Sequence, residues 1–346
     1  MPGTAGTAAE VARVGAPGAE ADEVGASASS VPLVSRSHYA MGTQIAVSAY
    51  TEDEARALEA MHAVFVEFDR LERLMSVWVE SSDIARINRE GAKHPVAVEE
   101  EVFDVLVRAR AFSEATGGKF DVSFGALSGL WRFDHDQDNR VPKAEEIKAR
   151  LPLIDYRKII LEPVHHTVAL GREGMRLHLG GVAKGYAVDR AVALMRSAGL
   201  SDFMIQAGGD MYASGRRGNR PWRVGVRDPR GDRTSYFAWA EVTDATFSTS
   251  GDYERFFIVD NRRYHHIIDP DTGEPARLCR SVTVLAPSAI DADALSTSIF
   301  LLGPSRGLQL LERFEGAGAI IVDQENKVTV SPRLIGKVNI LRAPTP

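Results

Sequence analysis

From residue 35 onward, the spacing of apolar positions changes several times, and each change predicts an element. "SHYAMGTQIAVSAY" alternates apolar and polar residues and predicts extended structure. "EARALEAMHAVFVEFDRLERLMS" places Leu58, Met61, Phe65 and Phe68 at helical spacing. A second amphipathic helix is predicted over 98–115, with Val102, Val105, Leu106, Ala109 and Phe112 on one face and Gly117-Gly118 ending it. A third follows "LGGVAKG" and carries Ala187, Val188, Ala191, Leu194 and Met195 before Gly199. Short β-patterned runs then dominate: "FMIQAGG", "WRVGVRD", "YFAWAEV", "ATFSTSG", "ERFFIVD", "RYHHIID" and "SVTVLAP". A late helix is expected near Asp291, a natural N-cap, and "GAIIVD" and "KVTVS" close the chain as strands. Helices and strands mix without a βαβ rhythm, so the class is α+β. The stretch 134–150, rich in Asp, Arg and Pro, reads as an excursion between lobes.

Residues 1–34, "MPGTAGTAAEVARVGAPGAEADEVGASASSVPLV", break the pattern. This Ala/Gly-rich tail is expected to be disordered because it cannot bury enough apolar surface to offset chain entropy; the domain is expected over 35–346. The tail lacks a basic start, an apolar core and a lipidation cysteine, and no run approaches the ~20 apolar residues of a membrane span. A cytoplasmic protein is the expectation, with the cell envelope as the alternative if the true start lies upstream. Net charge is −6 and no basic block appears, which disfavours a nucleic-acid partner. A single cysteine, Cys279, excludes an intrachain disulfide and any thiolate metal cluster.

Several short stretches can carry chemistry, each beside a plainer reading. In "LHLGGVAKGYAVDR", paired glycines lead into a helix start with Lys184: an anion cradle, or a tight turn with a solvated lysine. In "DADALSTSIFLLG", Asp293 and Thr297 lie four apart on one helical face. They form either a hard-oxygen pair for Mg²⁺ or a capped helix start with a threonine bonded to its own turn. Asp210, after two glycines, reads as a turn residue. Phe120 and Trp131 read as core. Trp78, placed in a short strand, can stack on a planar ring or fill a core. "ERFFIVDNRRYHHIIDPDTG" predicts a hairpin turning at Asp260-Asn261 and a further turn at Asp269-Pro270. Successive strand residues face opposite ways, so His265 and His266 cannot both line one site, and a histidine dyad is disfavoured.

Taken together, "MGT" (Met41–Thr43), "MSVWVESSDIARIN", "GGKFDVSFGALSGLW", "LGGVAKGYAVD", "QAGGDMYASG", "STSGDYERFF", "YHHIIDPDTGEP" and "SVTVLAPSAIDADALST" resemble the ApbE family, the FAD:protein FMN transferases, in order across about 35–341. The resemblance implies a two-lobed, T-fold-related domain with mixed and antiparallel sheets and FAD in the cleft. It implies Mg²⁺-dependent transfer of FMN from FAD to a threonine hydroxyl of a flavoprotein acceptor bearing a Ser/Thr-Gly-Ala-Thr-like motif, with release of AMP. Hydrolysis of FAD to FMN and AMP, or flavin binding without turnover, are the alternatives. By the same resemblance the metal ligands are Gly181, Asp293 and Thr297. The FAD contacts are Met41, Trp78, Phe120, Asp121, His178, Lys184, His266 and Ile267, and His266, immediately before "IIDP", is the general base. His178 stands where the family pattern usually has aspartate.

Overall fold

A computed structural model describes residues 31–346. The chain opens with the hairpin β1 (Leu33–Ala40) and β2 (Thr43–Tyr50), then α1 (Glu54–Met75), α2 (Asp83–Glu90), β3 (Val96–Ala97) and α3 (Glu100–Thr116). After α4 (Ala144–Arg150) come β4 (Ile159–Glu162), β5 (Thr167–Leu170) and α5 (Ala183–Ser197). The strand-rich region holds β6 (Phe203–Ala207), β7 (Asp210–Ser214), β8 (Trp222–Arg227), β9 (Tyr236–Val242), β10 (Ala245–Gly251), β11 (Phe256–Val259), β12 (Arg262–His265) and β13 (Cys279–Ala286). The chain closes with α6 (Ala289–Leu311), β14 (Gly318–Asp323), β15 (Val328–Val330) and β16 (Val338–Ile340).

Among these residues eight strands form one antiparallel sheet in the order β1-β2-β6-β7-β10-β13-β14-β15. Alternation decides what covers each face. Ile45, Val47, Phe203, Ile205, Val282 and Val284 point into the principal core beneath α1, α5 and α6. Phe247, Ala213, Ile320 and Val322 point the other way, against the small sheet β16-β9-β8 with its Trp222, Val224 and Phe237. A third apolar cluster joins Leu127, Trp131 and Ile147 to Phe257 and Tyr264 of the β11–β12 hairpin and to Ile268. The two-lobed expectation is thus met by a layered body and a smaller aromatic lobe, in an α+β fold.

Three sequence expectations need correction. The expected tail falls mostly on residues outside those described, but its last two positions already belong to the fold: Leu33 opens β1, and Val34 is buried in the core. Trp78 is in no strand; it sits in the turn between α1 and α2, where the Ser82 side chain caps α2 by accepting from Ala85 N–H at 3.0 Å. Nor does Asp291 cap the late helix. That helix begins at Ala289, and Asp189 of α5 caps it from outside, accepting from the N–H groups of Ala289 (2.8 Å) and Ile290 (2.9 Å) and from the Ser288 hydroxyl (3.1 Å). Asp291 instead pairs with Arg108 at 2.6 Å. The stretch 134–150 ends in α4, whose Ile147 packs into the aromatic cluster.

Candidate functional site

The site assembles at one end of the large sheet. Met41 and Gly42, with φ of 51° and 69°, make the β1–β2 turn. Beside it lies the β6–β7 turn, where a Cβ on Gly208 would come within 2.9 Å of Thr43 Oγ1. β7 then starts with Asp210, whose register partner on β10 is Ser248. Ser248 and Ser250 share the face of β10 that looks at α6. Ser250 Oγ is 3.1 Å from Thr297 Oγ1 and 2.8 Å from Ser296 Oγ.

Asp293 and Thr297 do share a face of α6, and Asp293 Oδ2 accepts the backbone N–H of Gly185 at 3.0 Å. That approach requires the glycine, because a Cβ at 185 would lie 2.3 Å from the Ala289 carbonyl oxygen. Gly181 completes the cradle: a Cβ there would meet the Phe120 ring at 3.1 Å and Thr297 Oγ1 at 3.4 Å. Gly181, Phe120 and Thr297 are therefore neighbours, as the sequence reading required. The loop before them is pinned by Asn88, which accepts from Leu177 N–H at 2.6 Å and donates to Leu177 O at 3.0 Å.

Lys184 projects into this group. Its ammonium donates to the Gly180 carbonyl at 3.2 Å and lies 3.1 Å from Asp210 and 3.6 Å from Asp293. Burial opposes its charge, but the two carboxylates prevail and hold its pKa above the ordinary lysine value. Burial first, then the Asp210 charge, raises the Asp293 carboxyl. Among the described residues no three His, Cys, Asp or Glu side chains converge as a metal cage. What does converge is the buried Asp293 carboxylate with the Thr297 hydroxyl and the Gly181 backbone, while Asp210 beside them is held by Ser248 and Lys184. This hard-oxygen set, with positions left for water and phosphate, fits Mg²⁺.

The two histidines have different surroundings. His265 is buried; its Nε2 donates to Ala276 O at 2.8 Å, its Nδ1 accepts from Ile267 N–H at 3.4 Å, and its ring stands edge-on to Phe300 of α6. Burial lowers its pKa to about 4. His266 follows the last residue of β12, its N–H donating to Arg255 O at 3.1 Å. Its Nδ1 is buried with no hydrogen-bond partner. Burial, then the proximity of His265 and Arg255, lowers its pKa to about 3. A neutral imidazole with a free nitrogen therefore stands near Lys184 and Arg255, while His265 is built into the core.

Other positions take plainer places. Ile267 belongs to the principal core and pairs its carbonyl with Ala276 N–H at 2.9 Å. Asp121 is buried with both oxygens used inside the chain, by Ser123 N–H (2.8 Å) and hydroxyl (2.6 Å) and by Tyr156 N–H (2.8 Å). It shapes the loop that presents Phe120. His178 Nδ1 accepts from Gly180 N–H at 3.0 Å and burial lowers its pKa, so it offers a neutral Nε2–H donor where a carboxylate would accept. Trp78 is 54% exposed at the rim, edge-on to His135 at 4.6 Å. The neighbouring Asp134 pairs with Arg255, whose Nη2 donates to Gly42 O at 3.3 Å. Sequence reading passed over Arg255 and Ser250 and read Asp210 as a turn former. A separate cavity of about 290 Å³, lined by Arg108, Asp291 and Arg313, offers no free charge on its paired Arg108 and Asp291.

The ApbE family model matches residues 41–321. This chain belongs to the ApbE family. It is 34% identical to the FAD:protein FMN transferase of Treponema pallidum, over 89% of this chain and 90% of that one. It is 33% identical to one from Klebsiella pneumoniae, over 84% and 89%. Among solved structures, the ApbE protein of Thermotoga maritima superposes with a TM-score of 0.81 at 33% identity, covering 88% of this chain and 99% of that one. The flavin transferase ApbE of Vibrio cholerae gives 0.80 at 27% identity, covering 89% and 99%.

Proposed function

We propose that this chain is an FAD:protein FMN transferase that moves FMN from FAD to a threonine hydroxyl of an acceptor flavoprotein and releases AMP. Supporting this reading is the grouping of Gly181, Lys184, Asp293 and Thr297, with His266 in electrostatic reach of Lys184, in a chain whose relatives bear that name. Lys184, Arg255 and the start of α5 put positive charge where a pyrophosphate would lie. Phe120, Met41 and the rim Trp78 supply apolar and aromatic surface for the rings. Asp293, Thr297 and the Gly181 backbone are the residues to hold Mg²⁺, which when bound supplies charge neutralisation at the phosphoryl oxygens.

In the transfer, the acceptor oxygen forms a bond to the FMN phosphorus while the bond from that phosphorus to the oxygen of AMP breaks. His266 is assigned as base by its place immediately before "IIDP", with a neutral ring able to take the hydroxyl proton. Lys184 and Arg255 stabilise charge on the oxygens. His178, in place of the family's aspartate, donates rather than accepts toward the nucleotide. The acceptor is read as a flavoprotein with a Ser/Thr-Gly-Ala-Thr-like segment. No helix of the described residues is long and apolar enough to cross a membrane, and the lone, buried Cys279 suits a cytoplasmic site of action.

The test supplies FAD, Mg²⁺ and an acceptor carrying that segment, then reads flavin fluorescence of the denatured acceptor in a gel. Covalent fluorescence that needs all three components is the expected result. Rapid AMP release without acceptor would replace transfer by hydrolysis, and stable bound flavin with no AMP under any condition would remove catalysis altogether.

A further inference from the structure

The two buried carboxylates and one lysine of the site do not balance. Asp210 on β7 is 2% exposed and Asp293 on α6 is 4% exposed, and Lys184 is the single ammonium between them. Two buried anions facing one cation leave negative charge that a dry interior tolerates poorly. The carboxylates also differ in what they offer. Asp210 is committed on both oxygens, Oδ1 to the Ser248 hydroxyl and Oδ2 to Lys184 at 3.1 Å. Asp293 binds Gly185 N–H at 3.0 Å and the more distant Lys184 at 3.6 Å through Oδ2, and its Oδ1 has no hydrogen bond among the described residues. The lysine is thus nearer the residue that has nothing left to give, and the carboxylate with a free oxygen is the one aligned with Thr297.

We propose that Lys184 is a stand-in cation for the divalent ion, and that Asp210 is the positioning residue onto which it withdraws when the ion binds at Asp293. With the ion absent, one ammonium bridges both carboxylates and keeps the pair from repelling. When the ion arrives, Lys184 gives up the longer contact and keeps the shorter one, where Ser248 orients the Asp210 carboxylate. Without that resting place the ammonium falls back on Asp293 and competes with the ion. The inference rests on reading Asp293 and Thr297 as divalent-ion ligands, and on nothing about the acceptor.

The test is a double-mutant cycle on Mn²⁺ binding to the full, FAD-free chain, followed by the electron paramagnetic resonance of free Mn²⁺. Lys184→Met alone should tighten binding a few-fold and Asp210→Asn alone should weaken it about tenfold. In the Asp210→Asn background, Lys184→Met should tighten binding by clearly more than it does in the native chain, because there the ammonium has no second carboxylate to rest on and competes with the ion at full strength. Equal factors in both backgrounds would mean simple addition of charges and overturn the proposal, as would an Asp210→Asn variant that binds Mn²⁺ as tightly as the native chain. Should Asp210→Asn not fold, Lys184→Gln still decides: unchanged or weaker Mn²⁺ binding overturns the proposal. Asp293→Ala separates the two readings. If it binds Mn²⁺ normally, the metal assignment fails and this inference with it; if it loses the ion while the cycle is additive, only the inference fails.

Discussion

The adjacent histidines give the sharpest contrast between a residue that holds the fold and one proposed to serve the site. His265 has a bond at each nitrogen and packs on Phe300, so its loss leaves a cavity and two unmatched partners. His266 has an orphaned Nδ1. His266→Ala should therefore lower transfer by ~10²–10⁴-fold while changing FAD affinity and stability little; His265→Ala should lower stability first, as read by chemical denaturation. Equal loss of kcat in both variants at equal stability would contradict this division. The pKa shifts add a pH test. His265 falls from 6.5 to about 4 on folding, so between those values the unfolded chain binds a proton that the native chain refuses. Its contribution is complete above pH 6.5 and is lost as pH falls toward 4, by about 3 kcal/mol in all. His265→Gln should make the stability difference between pH 7 and pH 4.5 smaller than in the native chain, with His266 still contributing part of the slope. For His266 the value of about 3 means a neutral ring at every working pH in the FAD-free protein, which ¹⁵N imidazole shifts at pH 5 to 8 would report. An imidazolium there at pH 6 would remove it as a ready base.

The late helix depends on its neighbour for its start. Asp189 of α5 takes three donors at the head of α6, and Asp293 and Thr297 follow within two turns. Asp189→Ala leaves those donors unmatched and should cost about 1–3 kcal/mol in denaturant unfolding. It should also weaken Mn²⁺ binding, since the proposed ligand pair is carried on the loosened turns. A variant with native stability would show that Ser288 caps the helix unaided. This dependence also explains what could be read from the chain. α1, α3 and α5 were legible because their apolar faces repeat over three or more turns, and Gly117, with φ of 64°, ends α3 where the glycine pair predicts. The hairpin turn was legible too, Asp260 and Asn261 both taking positive φ. α2 was not, having only Ile84 and Ile87 as buried apolar residues within eight. The cap from Asp189 lies 100 residues away from Ala289 and has no local signature. Asp210 was missed because Gly-Gly-Asp looks the same whether it merely turns the chain or delivers a carboxylate to Lys184; only the β7–β10 pairing tells them apart.

For the whole molecule, the stretch "YHHII" at 264–268 straddles the two lobes. Tyr264 and Ile268 belong to the aromatic lobe; Ile267 belongs to the principal core, and His265 packs on that core's Phe300. His266 therefore sits on the seam, while the proposed metal residues Asp293, Thr297 and Gly181 all hang on the layered body. Lys119, beside the principal-core Phe120, ties the lobe to the body by pairing with Asp269 at 2.6 Å and Asp271 at 2.8 Å, and within the lobe Trp131 Nε1 donates to Gly273 O at 2.7 Å. Loosening the lobe should therefore move the base without moving the metal site. Trp131→Ala removes the ring stacked between Phe133 and Tyr264, a change that costs ~3–5 kcal/mol in a packed core. Because this cluster is separate from the principal core, the loss should appear as local opening rather than global unfolding. Hydrogen exchange should accelerate across 256–275 and stay native in β6, β13 and β14. Transfer should fall by about 10²-fold, the usual cost of a reacting group displaced by an ångström, and Mn²⁺ binding should stay within a factor of about two of the native value. Parallel loss of Mn²⁺ binding and transfer would show that the two lobes form one cooperative unit and that the site is not divided between them.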